Sequence, residues 1–86
     1  MVQRVVRLSE LPKSASAIVH SVQSAHESDA IARRLGDLGF VAGEQVRVVA
    51  RGPIGGDPIL IQIGHTRFAL RRREAARVSV TMEAEP

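Results

Sequence analysis

Three groups of residues in this 86-residue chain have types and spacings that could do chemistry. The imidazoles of His20, His26 and His65 are the first, since neutral histidine is a common ligand for divalent metals. No two lie at i, i+3 or i+4, and the one polar cluster near them is His26-Glu27 with Asp29, a weak match to any metal-binding pattern. They read as surface or half-buried side chains, and no metal is expected. The second group is Gly52-Pro53-Ile54-Gly55-Gly56-Asp57-Pro58. Its glycines suggest a phosphate loop, but the Lys-Ser/Thr ending is missing and a strand follows instead of a helix. The better reading is a hairpin loop in which Pro53 and Pro58 fix φ and Gly55 or Gly56 takes a positive φ. A rigid loop of this kind is a candidate interaction surface. The third group is Arg71-Arg72-Arg73, with Arg67, Arg77, Arg33 and Arg34 as further cations. It is either a patch for phosphates or an acidic partner, or a solvated turn balanced by Glu74 and by Asp29 and Asp37. The carboxylates are scattered and no serine sits in a nucleophile elbow, so no catalytic set, and no cofactor, is expected.

Composition narrows the classes further. Twelve Lys+Arg against nine Asp+Glu give a formal charge of +3. The sequence pI of about 11.0 is high because eleven of the twelve cations are arginine and there is no tyrosine or cysteine to titrate. A charge of +3 therefore says little about nucleic acid. A chain this short makes one domain, 1–86, too small for a large interdomain cleft. Without cysteine it must hold together by packing alone, in keeping with a reducing cytoplasm. Arg4 and Arg7 interrupt what would be the apolar part of a signal peptide, and no apolar run reaches spanning length, so a cytoplasmic protein with no membrane insertion is expected.

The elements that position these groups follow from periodicity. Leu8-Ser-Glu-Leu-Pro12 suits a short turn pinned by two leucines. Ala15 to Val22 reads as a strand. Ser28 is the expected cap of a helix over about 29–38, with Ile31, Leu35 and Leu38 on one stripe and Asp29, Arg33 and Asp37 forming an ion-pair ladder on the other side. Gly39 suits the left-handed stop, and Phe40 then folds back onto Leu35. Gln45 to Arg51, Pro58 to Ile63 and Arg67 to Leu70 are further strands, each with an apolar face. After a turn at Arg71 to Ala76 comes the last strand, with Val78, Val80 and Met82 inward. The first few residues and the tail from Glu83 to Pro86 are expected to be loose ends.

Five short strands with one apolar face each need a cover and partners for their edges. Closure into a small barrel answers both needs, with the helix over one end. The fold class is thus mainly β. Leu60 shares its face with Gln62, opposite the isoleucines, so it is either tucked under the helix or a loop, or exposed for a partner. Both phenylalanines look spoken for by the core, which removes the stacking platform a single-strand nucleic-acid reader needs. Protein binding outranks nucleic-acid binding, and open strand edges leave a homo-oligomer in play.

Taken in order, Leu8-Ser-Glu-Leu-Pro12, Arg33-Arg-Leu-Gly-Asp-Leu-Gly-Phe40, Val41-Ala-Gly-Glu-Gln-Val-Arg-Val-Val49, Pro53-Ile-Gly-Gly-Asp-Pro58, Ala69-Leu-Arg-Arg-Arg-Glu-Ala75 and Val78-Ser-Val80 resemble the FeoA family, small cytosolic proteins of bacterial ferrous iron uptake. The likeness covers about 8–80. It implies an SH3-like β-barrel with an inserted helix, acting as an accessory to a FeoB-type permease whose cytoplasmic portion binds GTP. Where the family often has glycine after Leu-Pro-x, this chain has Ser14, which puts the tightness of the first turn in question. A similar domain ends the iron-dependent repressors, so a nucleic-acid-binding or regulatory SH3-like module is the alternative. The accompanying helix-turn-helix and metal-site domains are missing here, and a free-standing copy points to the transport accessory. On that basis the partner contact is expected on Pro53 to Pro58 (Pro53, Ile54, Gly55, Gly56, Asp57, Pro58), Leu60 and the corner Leu38-Gly39-Phe40, with Arg71, Arg72 and Arg73 secondary.

Overall fold

Apolar alternation produces strands where the sequence places them, and one further strand precedes them all. The computed structural model describes residues 3–24 and 29–83. Along these run β1 (Gln3–Arg7), a 3₁₀ turn (Leu8–Glu10), β2 (Ser16–Val22), α1 (Ala30–Leu38), β3 (Gln45–Gly52), β4 (Gly56–Ile63), β5 (Thr66–Leu70), the one-turn helix α2 (Arg72–Ala75) and β6 (Val78–Glu83). All strand pairings are antiparallel, in the order β1-β6-β2-β3-β4-β5.

β1 corrects the expectation of five strands and a loose N-terminal end. Residues 3–7 pair with 79–83, from Gln3 opposite Glu83 to Arg7 opposite Ser79. β6 therefore lies between β1 and β2, and this is why Ser79, assigned outward by alternation, is buried. The pairing joins the two ends of the chain, so no local pattern announces it. Bulges at His20 in β2 and Val49 in β3, with a further register shift between Arg51 and Gly52, interrupt the ladders and sharpen the sheet's curl. The turn after β1 then meets the turn after β5, with Leu8–Glu10 lying against α2. Each turn is closed by the same local device. Glu10 Oε1 accepts from the Arg7 N–H at 3.0 Å, and Glu74 Oε1 accepts from the Arg71 N–H at 2.9 Å.

Curling brings the inner faces into a single apolar cluster. Leu8, Leu11, Val19, Val46, Val48, Ile59, Ile61, Leu70, Val78 and Val80 are buried there, together with Leu35 of α1 and Phe40 just after it. Side chains of this size contribute about 1.5–3 kcal/mol each when removed from water, enough to hold a domain without disulfides. Phe68 departs from expectation: it is only half-buried, tilted at 49° against Phe40 with 6.3 Å between ring centres.

α1 ends as its sequence predicts. Gly39 has φ +113°, its N–H reaches the Gly36 carbonyl at 3.1 Å, and the Phe40 N–H reaches the Leu35 carbonyl at 3.1 Å. These two bonds satisfy carbonyls that a helix end would otherwise leave open. The start differs. Ser28 and the neighbouring His26-Glu27 lie outside the described residues, and Asp29 is the residue that caps, its Oδ1 accepting from the N–H groups of Ile31 (3.0 Å) and Ala32 (3.3 Å). The expected Asp29–Arg33–Asp37 ladder does not form. Asp29 turns inward to the guanidinium of Arg77, while Arg33 and Asp37 face solvent.

Candidate partner-binding surface

The loop joining β3 to β4 is shaped by three glycines with separate duties. Gly55 and Gly56 both take positive φ, +63° and +82°, where the sequence required only one of them to do so. Gly52 pairs directly with Gly56, and a Cβ on it would run into the main-chain carbonyl of Asp57. A side chain is therefore excluded at Gly52 by contact and disfavoured at the other two by conformation. The loop closes through the Asp57 N–H, which donates to the Ile54 carbonyl at 3.1 Å, and the Asp57–Pro58 peptide is cis. Ile54 is left at the tip, 81% exposed.

One arginine grips this loop, and a second ties the end of β3 to the 3₁₀ turn. Arg72 donates from Nη1 to the Gly55 carbonyl at 2.9 Å, and its backbone N–H donates to Asp57 Oδ1 at 3.0 Å. Arg51 reaches the other way, donating to the main-chain carbonyls of Ser9 (3.0 Å) and Leu11. The glycine-proline loop and the arginine run, separate in sequence, thus form one continuous surface. Between them lies an open depression of about 630 Å³ lined by Ser9, Asp57, Arg71, Arg72, Arg73 and Ala76.

Two of the carboxylates expected to balance this group pair with its outlying cations, Arg34 and Arg77. Glu74 spends one oxygen on the Arg71 N–H and the other on Arg34 Nη1 at 3.0 Å. Asp29 serves the α1 cap and Arg77. Among the described residues neither Arg71 nor Arg73 has a carboxylate partner, and both are exposed. The group is thus neutralised at Arg34 and Arg77 and left open at Arg71 and Arg73.

The remaining expected contact residues are placed elsewhere. Gly39 adjoins Ile63, at the far end of β4 from the loop; a Cβ on it would lie 3.7 Å from Ile63 Cγ2. The eight residues of β4 separate the Leu38-Gly39-Phe40 corner from Gly56 by about 20 Å. Phe40 is only 2% exposed, and Leu38 is half-buried against the core. The corner thus belongs to packing, and it does not share a surface with the loop. Leu60 is half-buried on the outer face of β4, flanked in register by Ala50 and Ala69, whose small side chains leave it standing above its neighbours. Sequence reasoning missed Ser9 and Arg51 altogether. Ser9 lines the depression because the 3₁₀ turn meets α2, and Arg51 holds that turn through the Ser9 and Leu11 carbonyls, contacts no local motif encodes.

The described histidines sit on different parts of the sheet. His20 is the exposed bulge residue of β2, its Nδ1 3.3 Å from Ser21 Oγ, and His65 is exposed in the β4–β5 turn. Among the described residues no group of three or more His, Cys, Asp or Glu is placed to hold a metal, and no helix is long and apolar enough to cross a membrane.

Comparison with known proteins fits this geometry. Residues 6–82 match the family model of the FeoA domain. No curated protein sequence matches the chain. Among solved structures, the zinc complex of Stenotrophomonas maltophilia FeoA, described as a procaryotic SH3 domain protein, is 64% identical over 87% of this chain and 88% of its own, with a TM-score of 0.81. FeoA from Chlorobium tepidum is 39% identical over 92% of this chain and 71% of its own, with a TM-score of 0.77. IdeR of T. acidophilum shares the fold alone, at 18% identity over 92% of this chain and 34% of its own, with a TM-score of 0.73.

Proposed function

The chain belongs to the FeoA family, and from that membership we propose that it is a non-enzymatic, cytoplasmic accessory of ferrous iron uptake. It binds the cytoplasmic GTP-binding portion of a FeoB-type permease and modulates that protein's assembly or activity. The relatives support the direction: one is described as an iron uptake regulatory protein, and the S. maltophilia protein as a candidate ferrous iron transport activating factor.

The observation that carries the reading is Ile54. An isoleucine 81% exposed on an ordinary mobile loop would lose much of its burial gain to the entropy of ordering that loop on binding. Here the loop is already fixed by two hydrogen bonds from Arg72 and by its own Asp57–Ile54 closure. Burial of the side chain by a partner then contributes up to about 1.5–3 kcal/mol with little to offset it. A partner so bound shifts the permease between conformations only as far as it prefers one of them.

The test is a calorimetric titration of the folded chain with the cytoplasmic domain of its cognate permease. Saturable association is expected. Absence of association, with the chain shown to be folded by its amide spectrum, removes the proposal.

A further inference from the structure

We propose that the depression lined by Ser9, Arg71 and Arg73 receives carboxylate side chains, so that it and Ile54 together recognise a protein segment carrying acidic residues beside an apolar one. The identity of that partner rests on the accessory reading above; the chemistry of the cleft does not.

The charge arrangement is the first argument. Three consecutive arginines line the depression against one carboxylate, Asp57, and that carboxylate already accepts the Arg72 N–H. Arg72 is committed to the Gly55 carbonyl, leaving Arg71 and Arg73 as the cations on offer. Neither has a carboxylate partner among the described residues, because Glu74 is held by Arg34 and the Arg71 N–H. Guanidinium groups present planar donor forks that match carboxylate oxygens in pairs. In an open depression water competes, so each pair adds modest affinity, and the charges act mainly on partner choice and encounter rate.

The second argument separates an acidic protein segment from a nucleic acid, which also presents anions. Single-stranded nucleic acid is held by stacking bases on exposed rings as well as by phosphate contacts. Phe40 is buried, and Phe68 is half-buried against it, so no ring faces the cleft from its lining. The neighbouring loop carries an exposed isoleucine, which a polyanionic backbone has no group to cover.

The experiment uses the whole chain, labelled for amide NMR, and as probe the blocked peptide Glu-Glu-Leu-Glu-Glu. Shifts are expected on Ser9, Gly55 and Arg71 to Arg73. Affinity should fall about tenfold in the double variant Arg71→Gln/Arg73→Gln, which leaves the remaining spectrum in place because both side chains are exposed. It should fall similarly between about 50 mM and about 500 mM NaCl, as screening shortens the range of the charges. Shifts centred elsewhere, an unresponsive double variant, equal binding of the all-glutamine analogue, or tighter binding of a short oligothymidylate at the same amides would each overturn the inference. The permease titration is read separately. Association there with an unresponsive cleft leaves the accessory reading and removes this one; a responsive cleft without association does the reverse.

Discussion

Asp29 divides its two carboxylate oxygens between two elements: Oδ1 caps α1, and Oδ2 meets the guanidinium of Arg77 at the start of β6. The side chain is 3% exposed and that of Arg77 is 26% exposed, so the pair is partly shielded from water and fastens the helix to the strand. Removal of the carboxylate takes away a cap contributing about 1 kcal/mol and strands a partly buried guanidinium. Asp29→Ala is therefore expected to cost about 2–4 kcal/mol in urea unfolding. Asp29→Asn keeps an oxygen for the cap and should cost about half as much. Equal losses in the two variants would show that the ion pair with Arg77 alone matters and that the cap contributes nothing.

Two glycines should respond in opposite directions to alanine. At Gly52 a Cβ collides with the rigid main chain of Asp57, so Gly52→Ala must break the Gly52–Gly56 pairing or displace the loop. A loss of at least about 2 kcal/mol is expected. Gly36 lies inside α1, where an added methyl group would meet nothing within 4 Å, so Gly36→Ala should add about 0.5–1 kcal/mol by reducing unfolded-state entropy. Thermal unfolding of both variants reads the two signs directly.

The parts of this fold that sequence made legible are those decided within a few residues. Val46 and Val48, Ile59 and Ile61, and Val78 and Val80 alternate and are buried as alternation requires. Leu38-Gly39-Phe40 stops its helix by local geometry and does so here. What was illegible depends on meetings between distant segments. β1 carries only Val5 and Val6 between charged or polar ends, too little to read as a strand until β6 lies beside it. Asp29 has the right spacing for an ion pair with Arg33, yet its position at the cap aims it back toward Arg77, 48 residues on. The candidate surface divides the same way. The loop and the arginine run could each be picked out by composition, whereas the Arg72 clasp that unites them, and the distance of about 20 Å that separates them from the Phe40 corner, are products of the sheet's register.

Ser14 tests the one departure from the family pattern. It has φ +74° in the exposed turn before β2, with its N–H donating to the Val48 carbonyl at 2.7 Å. A residue with a Cβ gives up about 1–2 kcal/mol in that region, and glycine avoids this while adding about 0.5–1 kcal/mol of entropy loss. Ser14→Gly should thus gain about 0.5 kcal/mol, raising Tm by about 2–4 °C. Ser14→Val should lower it, since a β-branched side chain is strained further in the left-handed region. A Tm unchanged in both variants would mean that the turn carries no strain.

Ile54 and Phe40 are both expected to meet the partner, and the structure gives them opposite exposure. Ile54 is 81% exposed, so Ile54→Asp should leave stability within about 0.5 kcal/mol of the parent. The same change puts a charge where the partner buries an apolar group, and opposes the acidic segment assigned to the neighbouring cleft. Binding to the permease domain should weaken by about tenfold to a hundredfold, roughly the 1.5–3 kcal/mol of a buried aliphatic side chain. Phe40→Ala removes a ring that is 2% exposed and belongs to the same buried cluster as Leu35 and the barrel core. Its cost, about 3–5 kcal/mol, should appear in urea unfolding. Wherever that variant remains folded its affinity for the permease domain should stay within about twofold of the parent, because the corner lies about 20 Å of β4 away from the loop. A folded Phe40→Ala protein that binds as poorly as Ile54→Asp would move the contact to the helix corner and away from the loop.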